Sequence, residues 1–414
     1  MSGIKDLDVR WEGIKKLNGI EHFKSLISLN CELNDLKTLD LTNNTALTTL
    51  DCKWNELTKL NLTKNTALTT LGCGQNDLTE LNLTKNIALT SLDCAWNELK
   101  TLNLDENIAL ATLDCGYNSI TKLDVSKNVA LTTLECDGNK IAALDLTANT
   151  ELSILDCSEN GLATLELGAS TKIRNISCKG NKLTTLDLKS SAILRDLECG
   201  ENKLTKLNIT GAPNLKYLNC NYNKLAKLDV SKNSKIDWLR CRGNRLKTLN
   251  TSKNTNMTWL DCENNKLTKL DVTKNSKLDW LECSENNLKK LNVKKNTKLT
   301  LLDCSKNKLT TINVSKNKKL GWLDCGKNKL KKLNVNKNKK LKNFYCNNNK
   351  LKKIDVSKNK KLRYFLCYNN KLTKLNISKN KKLSYFDCKR NYLKKQSDLK
   401  QNKKQNFKIG KQRK

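Results

Sequence analysis

Residues 47–67 read LTTLDCKWNELTKLNLTKNTA, and this stretch is one unit of a repeat that fills almost the whole chain. Every twenty-first residue from Cys31 to Cys388 is a cysteine, and all 18 cysteines of the chain lie in this series. An asparagine follows three residues after each cysteine, from Asn34 to Asn391. A fixed short period over such a length is typical of a solenoid, in which each repeat forms one coil stacked on the last.

The pattern inside one coil predicts its local structure. Counted from Leu47 as position 1, apolar residues occupy positions 1, 4, 6, 11, 14 and 16, and asparagines occupy positions 9 and 19. The alternation around positions 4 to 6 predicts a short strand that pairs in parallel with the strand of the next coil. The asparagine at position 9 is expected to point inward and bond backbone groups at the turn. The second half, LTKLNLTKN, predicts a second short extended segment on the opposite side.

The stretch LxxLxCxxNxL is typical of a leucine-rich repeat with cysteine in place of the third leucine. The unit LxxLxCxxNxLxxLDVSxN resembles the bacterial 21-residue class with two nested halves, and is similar to the cysteine-ladder repeats of the internalin J class. LTTLDCKWNELTKLNLTKN and LGWLDCGKNKLKKLNVNKN carry this resemblance. It implies a mainly β leucine-rich repeat solenoid of about nineteen coils, with one long parallel sheet and short extended segments opposite. It also implies a binding role that is adhesin-like.

The domain boundaries follow from where the repeat is regular. We expect residues 1–25 to form an irregular first coil that serves as an N-terminal cap. Residues 26–393 are predicted to form the leucine-rich repeat domain, with 18 regular coils. Residues 394–414 are polar and basic, and this composition predicts a disordered tail.

One stretch of the repeat, residues 166–214, is irregular. Ser170, Ser191 and Ala212 replace the position-19 asparagine in three successive coils, and Pro213, the only proline, follows. We expect the curvature or twist of the solenoid to change here. The alternative interpretation is harmless variation in the turns.

The cysteines predict buried free thiols, because each falls where a small apolar residue is expected. No CxxC pair exists and His22 is the only histidine, so we expect no metal and no cofactor. The first residues, MSGIKDLDVRWEG, have no apolar signal segment, and no transmembrane run is present. The sequence as written therefore predicts a cytoplasmic protein, whereas the class that it resembles is exported to the cell surface.

The charge of the chain is unevenly distributed. Lys plus Arg number 77 and Asp plus Glu number 41, for a formal net charge of +36. Residues 1–200 hold 20 basic and 27 acidic side chains, whereas residues 201–414 hold 57 and 14. A strongly basic half attracts polyanions and anionic surfaces.

Aromatic and acidic side chains predict a binding face on the main sheet. Positions 3, 5 and 7 point outward there, and position 8 follows at the edge, where Trp54, Trp96, Tyr117 and Tyr222 stand. Large exposed apolar patches tend to be binding sites. The predicted ligand-binding residues are Tyr217, Trp238, Trp259, Trp280, Trp322, Tyr364, Tyr385, Asp261, Glu282 and Asp324. The acids would favour a partner with basic groups. Two other interpretations remain: stacked tryptophans stiffen a sheet, and acids keep a surface soluble.

Lysines at position 18 predict an alternative, polyanion-binding surface for nucleic acid, anionic membrane or acidic glycan. They are Lys232, Lys253, Lys274, Lys295, Lys316, Lys337, Lys358 and Lys379. A simple solvated face would show the same pattern. A third hypothesis is carbohydrate binding on the tryptophan and acid face.

Nothing in the sequence indicates an enzyme. There is no Ser–His–Asp set and no glycine-rich phosphate loop, and acids that recur in every coil indicate architecture, whereas an active site is built once. The sequence therefore predicts non-enzymatic macromolecular binding, with a protein partner favoured.

Overall fold

A computed structural model describes residues 3–168, 172–402 and 404–413. They belong to two compact units, Met1–Leu204 and Thr205–Lys414. In each unit, short strands stack in parallel and in register, one coil on the next, as in a leucine-rich repeat solenoid. The boundary between the units falls within the stretch for which the sequence predicts irregularity.

The main sheet of the first unit has one three-residue strand per coil. Its strands are Asp6–Asp8, Ser28–Asn30, Thr49–Asp51, Thr70–Gly72, Ser91–Asp93, Thr112–Asp114, Thr133–Glu135, Ile154–Asp156, Asn175–Ser177 and Asp196–Glu198. Register follows the period, so that Leu50 pairs with Leu29 on one side and Leu71 on the other. In the first coil, the strand Asp6–Asp8 pairs with Ser28–Asn30, and a 3-10 helix spans Ile20–His22. That this coil caps the domain stays a prediction.

The second unit repeats this arrangement. Its main strands are Tyr217–Asn219, Trp238–Arg240, Trp259–Asp261, Trp280–Glu282, Leu301–Asp303, Trp322–Asp324, Asn343–Tyr345, Tyr364–Leu366 and Tyr385–Asp387. Leu260 pairs with Leu239 and with Leu281. Among the described residues the main strands number 19, which confirms the predicted fold class and the expected number of coils.

The opposite side of the coil is only partly extended. Leu144–Asp145 pairs with Leu165–Glu166, and further short strands span Thr185–Asp187 and Lys206–Asn208. Asp271 forms isolated bridges to two neighbouring coils. In most of the other described coils this side consists of bends and turns. A position-15 side-chain oxygen accepts the N–H two residues later, as in the 2.9 Å bond from Thr273 N to Asp271 Oδ1, and closes the turn that follows. Asp145, which lies in a strand, accepts the same bond from Thr147 N at 2.9 Å.

The core is a column of leucines and cysteines. All 18 cysteines are buried and free, which confirms the prediction of buried thiols. Burial raises the pKa of the Cys31 thiol to about 12. Thiols also contact backbone: Cys304 Sγ lies 3.4 Å from the carbonyl oxygen of Asp324 in the next coil. The cysteines therefore act as small apolar groups with a weak donor.

The position-9 asparagine tethers neighbouring coils, as predicted. Asn55 Nδ2 donates to the carbonyl oxygens of Cys31 at 3.0 Å and Cys52 at 3.1 Å. Its Oδ1 accepts the Leu36 N–H at 2.9 Å. At position 19 most asparagines use only their amide nitrogen in such bonds, although Asn275 Oδ1 also accepts the Thr251 hydroxyl at 2.9 Å. Asn65 Nδ2 donates to two carbonyls, whereas its buried Oδ1 has no partner among the described residues.

In the predicted irregular stretch, residues 166–214, other residues replace the position-19 asparagine. Ser191 and Ala212 are buried at this position, and Ser170 lies outside the described residues. The main strands nevertheless keep their register, since Asn175 pairs with Ile154 and with Asp196. The predicted change of curvature or twist stays a prediction.

The disorder predicted for residues 394–414 is contradicted for residues 394–402 and 404–413. A 3-10 helix spans Gln396–Asp398, and Leu399–Lys400 pairs in parallel with Leu375–Asn376. The Phe407 ring centroid lies 5.4 Å from that of Phe386.

The reason for this order lies in the period. Phe407, Ile409 and Gln412 stand 21 residues after Phe386, Cys388 and Asn391. Gln412 Nε2 donates to the Cys388 carbonyl, the type of bond that an asparagine makes in regular coils. The segment is therefore a degenerate last coil, which we call the terminal coil, and its lysine-rich composition masks this. No helix in the described part of the chain combines the length and apolar character needed to cross a membrane.

Candidate functional site

Four aromatic side chains of the second unit lie on adjacent strands in register, and we call them the tryptophan column: Tyr217, Trp238, Trp259 and Trp280. Alternation along each strand sends the leucine between two outward residues into the core and the aromatic ring to the solvent side. The rings of Trp259 and Trp280 are stacked, with centroids 4.3 Å apart and planes 6° apart. Trp238 lies 4.9 Å from Trp259.

The other predicted aromatic residues form two separate groups. Leu301 follows Trp280 and ends the column. Trp322 packs edge-on against Tyr345, with ring centroids 5.3 Å apart. Tyr364 and Tyr385 form a tilted pair at 6.2 Å. The predicted aromatic residues therefore lie in three separate ring clusters.

Burial differs along the column. Trp238 and Trp322 are exposed, with 41% and 37% of their surface in solvent. Trp259 and Trp280 are half-buried, and their Nε1 groups are out of solvent with no partner among the described residues. The middle of the column therefore also packs across strands, as the stiffening interpretation expects.

Asp261 does not have the surface role that the sequence predicts. It is 2% exposed, and its Oδ1 accepts the Glu263 N–H at 3.1 Å. In the same way, Asp324 Oδ1 accepts the Gly326 N–H at 2.8 Å. Acids at position 5 therefore close the turn that follows each strand, a local bond that competes with strand extension. The Asp261 carboxylate is not open to a partner, whereas Glu282 and Asp324 are half-buried.

The electrostatics of these acids follow from burial. Desolvation raises the pKa of Asp261 to about 6, with Glu282 adding a like charge. Desolvation, together with the nearby Asp303, raises the pKa of Asp324 to about 7. Burial therefore favours the protonated form of Asp261 and Asp324.

Two arginines were not among the predicted site residues. Arg240 occupies position 5 and pairs in register with Asp261. Arg242 Nη2 lies 3.1 Å from Glu263 Oε1, and its guanidinium carbon lies 5.8 Å from the centroid of the Tyr222 ring. The face beside Trp238 is therefore mixed in sign. The sequence could have indicated both arginines as site residues, because positions 5 and 7 both point outward.

The position-18 lysines lie in turns and are exposed at all eight predicted positions. None of these eight forms an ion pair with another described residue. Across residues 3–168, 172–402 and 404–413, no three His, Cys, Asp or Glu side chains are grouped to hold a metal ion.

Stacked coils with inward leucines, cysteines and asparagines define a leucine-rich repeat protein. No protein-family model and no curated protein sequence matches the chain. A solved structure, the functional domain of InlJ from Listeria monocytogenes, which includes a cysteine ladder, is 32% identical. The match covers 90% of this chain and 74% of that chain, with a TM-score of 0.64. The chain therefore belongs to the family of cysteine-ladder leucine-rich repeat proteins that includes InlJ, which confirms the resemblance seen in the sequence.

Two more distant structures share the fold. The leucine-rich repeat protein LIC12759 of Leptospira interrogans is 23% identical over 89% of this chain and 91% of that chain, with a TM-score of 0.65. The ectodomain of the Arabidopsis thaliana receptor kinase GASSHO1/SCHENGEN3 is 20% identical over 90% of this chain and 51% of that chain, with a TM-score of 0.79. That structure is a complex with CASPARIAN STRIP INTEGRITY FACTOR 2.

Proposed function

We propose that this chain is a non-enzymatic binding protein, and that the tryptophan column and Trp322 recognise a protein partner. The supporting observation is the run of outward indole rings on neighbouring strands, with Trp238 and Trp322 exposed. Tryptophan is enriched among the residues that dominate binding energy at interfaces. The receptor-kinase complex shows that another protein with this fold binds a partner of the type proposed.

The geometry suits tight binding because the rings are already ordered. Trp238 contacts Trp259, which stacks on Trp280, so little side-chain freedom remains to be lost on association. Glu282 and Asp324, which are not fully buried, favour basic groups on the partner. Arg240 and Arg242 add positive charge beside Trp238, so the partner surface would be mixed in sign there.

Paired substitutions of exposed tryptophans test this function. Threonine occupies the same position in the first unit, for example at Thr49 and Thr70, so Trp238→Thr with Trp322→Thr leaves the repeat pattern intact. A protein captured by the wild-type chain should bind this double variant at least about tenfold more weakly, since loss of one such anchor costs about 2 kcal/mol. Calorimetry measures the affinity.

The control for this test is Thr133→Ala, at the same coil position in the first unit, which should bind like the wild type. Thermal transitions should be close for all three proteins. If every captured protein binds the double variant with unchanged affinity, the tryptophan surface is not the recognition site. An adhesin-like use follows the InlJ relationship, and adhesion of coated beads to cultured cells tests it with the same variants.

The eight exposed position-18 lysines support polyanion binding as a second candidate function. Like charges about 5 Å apart repel by roughly 1 kcal/mol in water, and a bound polyanion would relieve this repulsion. Carbohydrate binding is less well supported, because Trp259 has its ring covered by neighbours at 4.9 and 4.3 Å, whereas sugars stack on free faces. A glycan array distinguishes it from protein binding.

A further inference from the structure

A second aromatic surface lies in the first unit, whereas the proposed recognition surface belongs to the second. It consists of Trp54, Trp96 and Tyr117, which stand at position 8 of their coils, immediately after the main strand. Their exposed fractions are 50%, 49% and 43%. Their backbone φ angles are 55°, 55° and 50°, in the left-handed region. Bulky residues rarely adopt this conformation, because the Cβ crowds the following carbonyl oxygen.

The repeat itself does not require aromatic residues at this position. Other coils place varied residues there with the same left-handed backbone: Asn264, Asn348, Asn369, Gly138, Gly180 and Gly243, and also Leu33, Gln75, Glu159, Glu201, Glu285, Lys306, Lys327 and Arg390. The left-handed backbone therefore belongs to the repeat, and the aromatic rings are not needed to form it. Their exposure, which packing does not explain, is the reason to look for a binding role.

The three rings border one groove. Trp96 and Tyr117 are stacked, with centroids 3.9 Å apart and planes 12° apart. The Tyr117 ring lies over Gly138, where an added Cβ would come within 2.8 Å of it. Gln75 separates Trp54 from Trp96 by one coil, and all four side chains line a cavity of about 590 Å³.

Acids line the same groove at position 10: Asp35, Glu56, Asp77 and Glu98. All four are exposed. Within the described residues only Glu56 is in an ion pair, with Lys37 at 3.5 Å, and such exposed pairs contribute little. In the second unit position 10 is mostly basic: Lys224, Arg245, Lys266, Lys308, Lys329, Lys350 and Lys371. An aromatic residue at position 8 with an acid at position 10 of the same coil therefore occurs only among the first coils, at Trp54 with Glu56 and at Trp96 with Glu98.

We propose that this aromatic–acidic groove binds an extended, basic segment of a partner protein. Arginine or lysine side chains would lie against Trp54 and Trp96, as cations do on indole faces, with the acids neutralising their charge. The two tryptophans are two coils apart, about 9.6 Å at the spacing of paired strands. Three residues of polyproline II helix span about 9.3 Å. A basic residue at every third position of such a segment would match the groove.

A peptide titration tests this groove directly. The probe is a fluorescein-labelled peptide of four Pro-Ser-Arg repeats, added to the full chain at about 50 mM salt, where surface charges are weakly screened. We expect saturable binding by the wild type and at least tenfold weaker binding by Trp54→Asn/Trp96→Asn. Asparagine occupies this position in other coils, so the thermal transition should not fall. Asp77→Asn/Glu98→Gln should weaken binding without removing a ring.

Matched controls separate this site from the proposed recognition surface. Trp238→Thr/Trp322→Thr should bind the arginine peptide like the wild type, so either hypothesis can fail alone. A peptide of Pro-Ser-Glu repeats should not bind. The proposal is overturned if the wild type fails to bind at about 1 mM protein, if both peptides bind equally, or if the groove variants bind normally. Self-association that the groove variants abolish would identify the occupant as a second copy and overturn it as well.

Discussion

Two buried asparagines in one coil, Asn307 and Asn317, show how much a single oxygen atom matters. Asn307 Oδ1 accepts the Leu288 N–H at 2.9 Å, and its Nδ2 donates to the Cys283 carbonyl at 2.9 Å. Asn317 Nδ2 donates to two carbonyls, at 2.9 and 2.8 Å, but its buried Oδ1 accepts nothing among the described residues. Asn307 thus bonds both a backbone N–H and backbone carbonyls of its neighbours, whereas the side chain of Asn317 bonds only backbone carbonyls.

Replacing each asparagine by alanine should therefore have unequal effects. Asn307→Ala leaves the buried Leu288 N–H without a partner and should lower the free energy of unfolding by about 3 kcal/mol. Asn317→Ala leaves only backbone carbonyls without that hydrogen bond. Buried carbonyls tolerate the loss of a partner better than N–H groups do, so the free energy of unfolding should fall by only about 1 kcal/mol. Urea unfolding measures both. Equal losses would show that the Oδ1 bond at position 9 is unimportant.

Asp324 should make the stability of the chain depend on pH. Its pKa rises from 3.8 to about 7 because of burial, so between these values the folded chain binds more protons than the unfolded chain. Stability therefore falls as pH rises through this window and stays lower above it. Asp324→Asn should abolish that loss and stabilise the chain at pH about 8, on the order of 2–4 kcal/mol, but not at pH about 4.

Two features make this substitution a clean one. Asparagine can accept the same turn bond, as Asn219 does from Asn221 N at 3.2 Å. Asp124→Asn is the control of opposite sign, because hydrogen bonds from Ser126 lower the pKa of Asp124. Removing the Asp124 carboxylate should lower the stability of the fold at neutral pH and have no effect at strongly acid pH. Thermal midpoints across the pH range measure both, and a pH-independent gain for Asp324→Asn would contradict the argument.

At the scale of elements, the terminal coil covers the last regular coil of the second unit. Leu399 is buried, and Phe407 is half-buried beside Phe386. Arg390 N donates to the Lys411 carbonyl at 2.8 Å, and Arg413 N donates to the Asn391 carbonyl at 2.8 Å. These bonds pair the turn that follows the last main strand, and Leu399–Lys400 pairs with the short strand Leu375–Asn376, whose edge would otherwise be open to association.

Phe407→Ala should expose the ring of Phe386 and destabilise the C-terminal coils by about 1–2 kcal/mol, less than a fully buried phenylalanine would. Lys408→Ala, at an exposed neighbouring position, should change stability by less than about 0.5 kcal/mol. Limited trypsin digestion gives the readout, because residues 394–413 are rich in lysine. Rapid cleavage there in the wild type, with no effect of Phe407→Ala, would favour the disorder that composition predicts.

Much of the fold could be predicted because the residues that determine it recur with a fixed period along the sequence. The cysteine series fixes the coil, the leucine alternation fixes which faces point outward, and both predictions needed no tertiary knowledge. The terminal coil was missed because only Phe407, Ile409 and Gln412 keep the register within a basic segment.

The candidate site was less predictable. The alternation of side chains along a strand predicts that Trp238 and Trp259 both point outward and lie next to each other. It does not predict that their rings contact, because ring contact depends on the side-chain rotamers. The burial of Asp261 depends on its turn bond to Glu263 and on its neighbours in adjacent coils. Left-handed backbone at Trp54 and Trp96 gave no local signal, since aromatic residues are typical of strands.

At the scale of the whole molecule, the dominant feature is charge. Residues 201–414 carry 57 basic and 14 acidic side chains, against 20 and 27 in residues 1–200. We expect the chain to bind a labelled single-stranded DNA of about 20 nucleotides, with affinity falling steeply as salt rises, because counterions are released. Replacing Lys316, Lys337, Lys358 and Lys379 by asparagine should reduce the salt slope.

The tryptophan variants separate this charge effect from recognition. Trp238→Thr/Trp322→Thr should bind the DNA like the wild type if the lysines alone attract it. DNA affinity that is independent of salt, or unaffected by the lysine substitutions, would rule out this polyanion surface.

The buried thiols have a practical consequence. Burial raises the pKa of these thiols well above its ordinary value, so they hardly react with alkylating reagents while their coil is closed. Each regular coil contains one, so every regular coil carries an intrinsic reporter of its own opening. Timed alkylation followed by peptide mass spectrometry would resolve the order in which the 18 cysteines become reactive. That order would map how unravelling spreads from coil to coil, without any introduced label.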